Sequence, residues 1–401
     1  MSRLIAFFQT IARSPRMRWG VGLVVCGFLF SWEAAFRPPA MAAAQASWPM
    51  LSVDLAKPPV LAATGSIPMP THVPAAHSSS LVAMPAGHAD AVMAFWFAGT
   101  RESAADVGIA ASGFDRASQQ WRAARFVVQR HELSRQLGFG VRRLGNPVAW
   151  LDVRGQLHLF VVATGLGGWA ASRIVHLRQA HAENRHPEQA TTSKEALSFE
   201  VVRVLPLAWL WNTSYLVRNA PMPLGDGGML LPVHFELGIK YPVALRFDAR
   251  GEFKGMVRMS RRTHVLQPTV LAQDASHWLA LMRDQRPSGR ITVVSTKDAG
   301  QSWQDQPDLT LINPNASVAG LALAPGQFWL VHNSSATSRN VLDLSQSRDE
   351  QPWALAHRLA QGSGLDEYSY PAMAWADDSL WVSYTDHRTH IAWQRFVWPK
   401  R

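Results

Sequence analysis

The chain contains a single cysteine, and this scarcity excludes two classes of chemistry. Cys26 is the only cysteine among 401 residues, and it lies within an apolar N-terminal segment. A mature chain from which that segment had been removed would contain no cysteine. Such a chain could form no disulfide bond and could use no thiol nucleophile.

Charged residues are also few, and the basic ones are dispersed. Asp, Glu, Lys and Arg make up 17% of the chain, and the formal net charge is +10. Residues 1–44 contain five arginines and one acid, so the remainder has a net charge of 10 − 4 = +6. That remainder has no run of Lys or Arg. We therefore predict no nucleic-acid partner, because nucleic acids need a clustered basic patch, whereas a diffuse positive field suits an anionic substrate.

Several catalytic and cofactor motifs are absent. The 15 histidines are scattered, with no His-x-x-x-His on a helix and no cysteine partners, which argues against a zinc site. The sequence has neither a phosphate loop nor a dinucleotide fingerprint, and the Gly165-Leu-Gly-Gly168 segment lacks the helix that should follow. No Gly-x-Ser-x-Gly elbow occurs. We expect neither a metal nor a cofactor.

The N-terminus has the layout of a targeting segment. Residues 13–18 are basic, residues 20–32 are apolar but short for a bilayer span, and residues 42–44 are small enough for cleavage. The sequence predicts an exported protein, periplasmic or extracellular, with a signal peptide over residues 1–44. The alternative is an uncleaved anchor that attaches the protein to the inner membrane through residues 19–36. We expect membrane contact through this segment only.

Short apolar runs separated by turn signals occupy the chain from about residue 76. They form five groups of four runs and a last group of three, at intervals of roughly 50–60 residues. We predict an all-β fold, a monomeric six-bladed β-propeller of four-stranded antiparallel blades over residues 76–398, with almost no helix. The alternative is a large β-sandwich. Residues 45–75 would form a linker, and a strand near residues 60–72 would complete the last blade and close the ring. The predicted first strands of the six groups begin at Leu81, Pro147, Asn219, Thr269, Val318 and Ala372.

One turn carries a recognisable local motif. Thr296-x-Asp298-x-Gly300-x-Ser302-Trp303 fits the Asp-box pattern. Asp298 can accept backbone N–H bonds across a tight turn, and Gly300 supplies a backbone conformation that side chains resist. Trp303 would begin the next strand and pack its ring between sheets. The motif predicts a turn between the third and fourth strands of a blade, without a chemical role.

Further short motifs follow one another in a fixed order over residues 76–396. They are Phe97-Ala-Gly-Thr-Arg-Glu102 with Asp106-Val-Gly-Ile, Asn146-Pro-Val, Leu230-Leu-Pro-Val-His-Phe-Glu236, Leu266-Gln-Pro-Thr with Leu281-Met-Arg283, Asn313-Pro-Asn315, His332-Asn-Ser-Ser, and Tyr368-Ser-Tyr-Pro-Ala372 with Tyr384-Thr-Asp-His-Arg-Thr-His-Ile391. In these motifs the chain resembles the sialidase-like Asp-box family, six-bladed propellers related to bacterial exo-sialidases. The resemblance implies a retaining glycoside hydrolase for an anionic, sialic-acid-like sugar.

The resemblance also implies the residues of the site. Arginines would bind the substrate carboxylate in bidentate fashion, and a neutral tyrosine activated by a glutamate would replace the carboxylate nucleophile that an anionic sugar repels. The catalytic candidates are Tyr370 or Tyr368, Glu236, and an acid/base that is either Glu102 or Asp106. The substrate-binding candidates are Arg101, Arg218, Arg283, Arg388, His77, Asn146, Gln267, Asn315 and Asn333.

The chain departs from the family in its first blade. True sialidases have an Arg-Ile-Pro motif there, whereas this chain has Thr71-His-Val-Pro74 followed by His77-Ser-Ser-Ser80. Two alternatives therefore stand beside the hydrolase. One is a non-catalytic carbohydrate-binding propeller that keeps the arginine pocket. The other is a polysaccharide lyase in which an arginine neutralises a uronate carboxylate and a Tyr or His abstracts the C5 proton. In each case the predicted partner is an anionic carbohydrate or glycoconjugate.

Overall fold

A computed structural model describes residues 14–35, 39–180, 197–209, 212–286, 289–348 and 352–401. The chain divides into two compact units. The smaller one comprises residues 1–39 and 206–212, and the larger one comprises residues 40–205 and 213–401.

Helix α1 (Pro15–Ala35) is the main element of the smaller unit. In this unit the rings of Trp32 and Trp209 lie 5.2 Å apart between centroids. Among the described residues, no helix combines the length and the apolar character needed to cross a membrane. Residues 1–13 and 36–38 of the predicted targeting segment lie outside the described residues, so the signal peptide and the anchor both stay predictions.

The larger unit is an all-β propeller with six antiparallel blades, which confirms the predicted fold class. Strand β1 (Val60–Ser66) comes first in the chain. Blade 1 contains β2 (Ala75–Ala83), β3 (Asp90–Gly99), β4 (Gly108–Asp115), β5 (Gln120–Trp121) and β6 (Arg125–Val128). Helix α2 (Arg130–Leu137) leads to blade 2, which contains β7 (Arg143–Leu151), β8 (Leu157–Thr164), β9 (Ser172–Gln179) and β10 (Phe199–Val204). A 3-10 helix, Gly168–Ala171, joins β8 to β9.

The other four blades follow in the same manner. Blade 3 contains β11 (Tyr215–Val217), β12 (Met222–Pro223), β13 (Met229–Leu237), β14 (Ile239–Phe247) and β15 (Phe253–Arg258). Blade 4 contains β16 (Val265–Ala272), β17 (Trp278–Asp284), β18 (Thr292–Thr296) and β19 (Gln304–Gln306). Blade 5 contains β20 (Ala319–Ala324), β21 (Gln327–Asn333), β22 (Val341–Arg348) and β23 (Ala354–Gln361). Blade 6 contains β24 (Tyr368–Ala376), β25 (Ser379–Asp386) and β26 (His390–Val397).

Strand β1 completes blade 6. It pairs with β26 from Val60 opposite Val397 to Ser66 opposite Ala392, and so becomes the fourth strand of that sheet. This is the segment in which the sequence places a closing strand. The two ends of the propeller therefore share one sheet. Large aromatic side chains fill the space between blades 1 and 6, where the rings of Phe114 and Trp381 lie 4.7 Å apart.

The expectation of almost no helix is wrong for residues 130–137. Helix α2 buries one side chain, Leu133, and ends at Gly138, which adopts the left-handed conformation (φ 72°). A polar segment of eight residues offers too few apolar positions to show a helical period. Burial of Leu133 against the propeller stabilises this helix, and the sequence carries no periodic pattern that would predict it.

The Asp-box lies where the sequence predicts it, between β18 and β19 of blade 4. The Asp298 carboxylate accepts hydrogen bonds from the Thr296 hydroxyl (2.6 Å) and the Ser302 backbone N–H (2.9 Å). Gly300 has a φ of 84°, and the Trp303 indole donates to its carbonyl at 3.0 Å. All of these contacts are local to the turn.

Candidate active site

The innermost strand of each blade contains, or closely follows, a non-glycine residue in the left-handed conformation. In β2, β7, β16 and β24 this residue lies at a register irregularity. The six residues are Ser78, Asn146, Ser214, Gln267, Asn315 and Tyr370, with φ values of 57°, 39°, 70°, 56°, 55° and 52°. All six side chains are polar. Because this conformation costs on the order of 1 kcal/mol or more for such residues and bulges redirect side chains, the six residues mark the start of the inner strands as a candidate functional site.

Tyr370 lies close to three other predicted site residues. Its ring lies 4.3 Å from the His77 imidazole between centroids. The guanidinium carbon of Arg218 lies 5.2 Å from the centroid of the same ring, within the range of cation–π attraction. The Tyr370 phenol is also near enough to the Arg283 guanidinium to oppose the lowering of the Arg283 pKa. The side chains of blades 1, 3, 4 and 6 thus meet at this tyrosine.

Arg218 is buried against the tyrosine and is not open to a ligand. It is 2% exposed, and its two Nη atoms donate to the carbonyls of Ser79 (3.2 Å) and Pro371 (2.7 Å). Burial lowers the pKa of the Arg218 guanidinium to about 10, and the neighbouring Tyr370 opposes that shift. Arg218 therefore supports the Tyr370 ring as a buried cation, in a position where it does not contact solvent.

Arg283 differs from Arg218 because it is only partly buried. Its Nε donates to the Asn315 side-chain oxygen at 2.6 Å, and its Nη1 lies 3.4 Å from the Gln267 side-chain oxygen. Burial is the largest influence on its pKa, which is lowered. Within the described residues Arg283 has no carboxylate partner. Gln267 and Asn315, two of the left-handed residues, thus hold this arginine in place.

Glu236 lies near the end of β13 in blade 3. One carboxylate oxygen accepts a hydrogen bond from the Lys240 ammonium at 2.6 Å, and the other lies 3.5 Å from His234 Nε2. Burial raises the pKa of the Glu236 carboxyl, but the contacts with His234 and Lys240 outweigh burial, and the net effect lowers that pKa. Burial also lowers the pKa of His234, which is therefore neutral. The Lys240 ammonium is the cation that keeps Glu236 ionised.

Two residues that the motifs did not reveal, Arg339 and Glu367, extend the site. The Glu367 carboxylate accepts hydrogen bonds from Arg388 Nε (2.8 Å), Arg339 Nη1 (3.1 Å) and the Ser369 hydroxyl (2.8 Å). Arg388 also pairs with Glu102. Burial opposes ionisation of Glu367, but these donors lower its pKa to about 2. Loops of blades 1, 5 and 6 are therefore joined by one chain of alternating charges.

The repeat contains a signal for one of the missed residues. Arg339 lies in the connection between β21 and β22, and Arg388 lies in the connection between β25 and β26. Both connections join the second and third strands of their blades. Superposing the repeats on those strands would have paired the two arginines. Glu367 directly precedes the Tyr368 motif, but no pattern distinguishes it from a solvated acid.

His77 is enclosed by the site. Its imidazole is 2% exposed, and neither ring nitrogen has a hydrogen-bond partner in the part of the chain that the structure describes. Burial lowers the pKa of His77 to about 3, and the positive charge of Arg388 contributes to the shift. The imidazole packs between the rings of Tyr370 and Phe97. The neutral His77 imidazole therefore lines the site and is almost completely shielded from solvent.

Two of the catalytic candidates lie apart from these contacts. Tyr368 packs its ring edge-on against Tyr384 (6.2 Å) and His387 (5.2 Å). The Asp106 carboxylate accepts hydrogen bonds from the Thr100 N–H (3.0 Å) and the Thr100 hydroxyl (2.9 Å), which shape the loop between β3 and β4. Of the two tyrosines, the geometry therefore associates Tyr370 with the arginines.

Three binding candidates have no contact with Tyr370 or Arg283. Arg101 is exposed and forms no ion pair with any described residue. Asn146 has no side-chain partner among those residues. The buried Asn333 amide donates to the carbonyls of Arg339, Val341 and Tyr368, so its role is to hold the backbone around the site. In the same described regions, no group of three His, Cys, Asp or Glu side chains could hold a metal ion.

The sequence pattern of a known family covers most of the propeller. The family described as BNR repeat-like domain matches residues 90–382. The chain belongs to this family. A search of curated proteins found no match.

Solved structures agree with this BNR repeat-like assignment at the level of fold. A Hadza microbial sialidase has a TM-score of 0.62 and 15% identity, over 81% of this chain and 66% of that chain. Trypanosoma rangeli sialidase in complex with sialic acid has a TM-score of 0.58 and 12% identity, over 83% and 57%. A protein of unknown function from Dyadobacter fermentans has a TM-score of 0.62 and 10% identity, over 86% and 99%. This chain thus spans less than two thirds of the length of these two sialidases.

Proposed function

We propose that this protein is a sialidase-like glycoside hydrolase that cleaves the glycosidic bond of a sugar carrying a carboxylate at its anomeric carbon. One observation carries the proposal: the Tyr370 ring packs against His77 and Arg218 and lies within electrostatic reach of Arg283, a partly exposed guanidinium without a carboxylate partner in the described residues. A candidate nucleophile thus lies near a cation that is available to a ligand. Membership of the BNR repeat-like family and the sialidase-like fold support it.

The proposed reaction begins with recognition of the substrate carboxylate. Arg283 donates paired N–H···O bonds to that carboxylate, which brings the anomeric carbon next to the phenol. Because the carboxylate repels anionic nucleophiles, a neutral phenol is suited to attack there. The buried Arg218 cation and the neutral His77 imidazole both pack against the phenol ring. The tyrosine therefore needs little reorganisation before it reacts.

In the first chemical step, the Tyr370 oxygen bonds to the anomeric carbon while the bond to the leaving oxygen breaks. The phenol proton passes to the ionised Glu236, and the acid/base protonates the leaving oxygen. In the second step, the acid/base takes a proton from water, which attacks the anomeric carbon and releases the tyrosine. The tyrosine regains its proton from Glu236. Two displacements at one carbon give a product of retained configuration.

The acid/base is either Glu102 or Asp106, and a leaving-group series distinguishes them. Loss of a general acid slows substrates with a poor leaving group far more than substrates with a phenolic leaving group. Glu102→Gln and Asp106→Asn should be compared on a methylumbelliferyl sialoside and a sialyl-lactose. The variant that keeps turnover on the first substrate and loses it on the second identifies the acid.

The function itself is tested with three measurements on the wild-type protein. These are release of methylumbelliferone from its sialoside, ultraviolet absorbance of unsaturated uronate from a polyuronate, and calorimetric binding of N-acetylneuraminate. Turnover of the sialoside supports the proposal. Absorbance from the polyuronate supports the lyase, and saturable binding without either reaction supports the binding module. Absence of both sialoside turnover and acidic-sugar binding would overturn the proposal.

A further inference from the structure

Glu367 fills a position between two arginines with its own carboxylate. It accepts from Arg388 Nε at 2.8 Å and Nη2 at 3.2 Å, and from Arg339 Nη1 at 3.1 Å. The side chains of Arg339 and Arg388 are 21% and 44% exposed, so an anion from solvent can approach both. Two guanidinium groups from separate blades thus form an anion-binding position, and the Glu367 carboxylate occupies it.

The remaining donors of these arginines are largely in use. Arg388 Nη1 pairs with Glu102, and Arg339 Nη2 donates to the Asn315 carbonyl at 3.1 Å. Arg218 is buried. Of the cluster's four arginines, Arg283 is therefore the partly exposed one that has no carboxylate partner among the described residues. The site as built offers a ligand one uncompensated cation.

We propose that Glu367 determines the charge selectivity of the pocket, because it occupies the second of two anion positions and so restricts the ligand to a single carboxylate at Arg283. The identity of that ligand as a sugar monocarboxylate rests on the proposed function. A second ligand anion, such as the sulfate or phosphate of a substituted acidic sugar, would meet the Glu367 carboxylate instead of a free guanidinium. Electrostatic repulsion between the Glu367 carboxylate and this second anion disfavours binding of the dianion.

An orienting role for Glu367 predicts the opposite result. If its carboxylate only holds Arg388 and Arg339 in position for the ligand, then Glu367→Gln disorders them and weakens every anion. If Glu367 is an occupant, Glu367→Gln leaves Arg339 without a carboxylate partner and leaves Arg388 paired with Glu102 alone, and so strengthens binding of an added anion. The sign of the change therefore separates the two roles.

The experiment measures sulfate binding to the full chain by isothermal titration, with chloride at constant ionic strength as background. Sulfate is a dianion that needs no sugar, so the result is independent of the proposed function. Glu367→Gln should bind sulfate at least tenfold more tightly than wild type. The double variant Glu367→Gln with Arg339→Met should lose that gain. Glu252→Gln, which removes an acid from an ion pair with Arg203 elsewhere on the propeller, controls for the change in net charge.

A second variant protects the test against misfolding. Glu367→Asp is shorter by one methylene and cannot span both arginines, so it should show a smaller gain in sulfate affinity. The proposal is overturned if folded Glu367→Gln and Glu367→Asp bind sulfate no better than wild type, or if Glu252→Gln shows the same gain. If sulfate affinity rises as expected while no protein binds N-acetylneuraminate, the charge selectivity stands and the proposed function fails.

Discussion

The imidazole of His77 and the phenol ring of Tyr370 lie 4.3 Å apart between centroids and connect the first and last blades. His77 comes from β2 and Tyr370 from β24, which lie about three hundred residues apart in the chain. Closing the propeller is what brings them together. Tyr370 also has a φ of 52°, which its surroundings must enforce. The geometry of the candidate nucleophile therefore depends on the integrity of the whole ring.

Tyr370→Phe should abolish turnover and leave binding nearly intact. The change removes the attacking oxygen but keeps the ring that packs against His77 and Arg218. We expect kcat for the methylumbelliferyl sialoside to fall by roughly three orders of magnitude or more, with little change in the Kd of N-acetylneuraminate. Tyr368→Phe is the matched control, because that ring packs against Tyr384 and should leave kcat unchanged. Equal losses in the two variants would contradict the assignment of the nucleophile.

Arg283→Ala should weaken acidic sugars selectively. A charge-assisted bidentate bond is lost, so the affinity for N-acetylneuraminate should fall by roughly 1.5–3 kcal/mol, while a neutral analogue of the same sugar should be almost unaffected. Arg283→Lys should restore only part of this, because an ammonium lacks the fork geometry. Calorimetry with the two sugars checks the result. An equal loss of affinity for both sugars would mean that Arg283 supports the fold and does not bind the carboxylate.

The starts of the first strands show where a sequence pattern stops being informative. The predicted starts are Leu81, Pro147, Asn219, Thr269 and Ala372 in blades 1, 2, 3, 4 and 6, and the observed starts are Ala75, Arg143, Tyr215, Val265 and Tyr368. In blades 1, 2, 4 and 6 the observed strand begins earlier because the left-handed residue interrupts the apolar alternation near its beginning, whereas β11 of blade 3 ends before the predicted start. In these four blades the pattern therefore located the regular part of the strand and missed the part that carries the candidate site.

Motifs located single residues of the candidate site but not their partners. Arg283 lies in one short motif and both Tyr368 and Tyr370 lie in another, and the motif did not distinguish the two tyrosines. The ion pairs of Glu367 with Arg339 and Arg388 join loops of different blades, and no local pattern reports such pairs. The burial of Arg218 is likewise a property of the closed ring. Contacts between residues that lie far apart in the chain cannot be predicted from local motifs.

The closing strand should contribute to the stability of the whole propeller. A chain that begins at residue 76 instead of residue 45 lacks β1, so β26 becomes an unpaired edge of blade 6. It also loses Val53, which is 1% exposed in the core between blades 5 and 6. We expect a clearly lower Tm by calorimetry and a greater tendency to aggregate. An unchanged Tm would show that β1 is dispensable for closure.

Asp298→Ala should destabilise the fold without affecting ligand binding. The substitution removes the acceptor for the Thr296 hydroxyl and the Ser302 N–H, and we expect a loss of roughly 1–2 kcal/mol in the free energy of unfolding. Lys297→Ala is the control, since this exposed side chain lies in the same turn. Urea denaturation measures the first effect and calorimetry the second. A lower sugar affinity at unchanged stability would assign the Asp-box to the site.

His77→Phe should make the protein less sensitive to acid. Burial holds the pKa of His77 at about 3 in the folded state, against an ordinary value of 6.5, and the neighbouring cation of Arg388 adds to the effect while Glu367 opposes it. The unfolded chain therefore binds the proton first as the pH falls. Stability that is fully present above about pH 6.5 is lost progressively below it, by up to about 1.4 kcal/mol per pH unit for one such group.

Phenylalanine fills the same space between Tyr370 and Phe97 without titrating and without two unpaired ring nitrogens. Urea denaturation at about pH 7 and about pH 4.5 should show a smaller difference for His77→Phe than for wild type. The exposed His131 provides the control substitution, His131→Phe, which should leave the pH dependence unchanged. The same pH dependence in wild type and His77→Phe would mean that His77 is not buried as a neutral group.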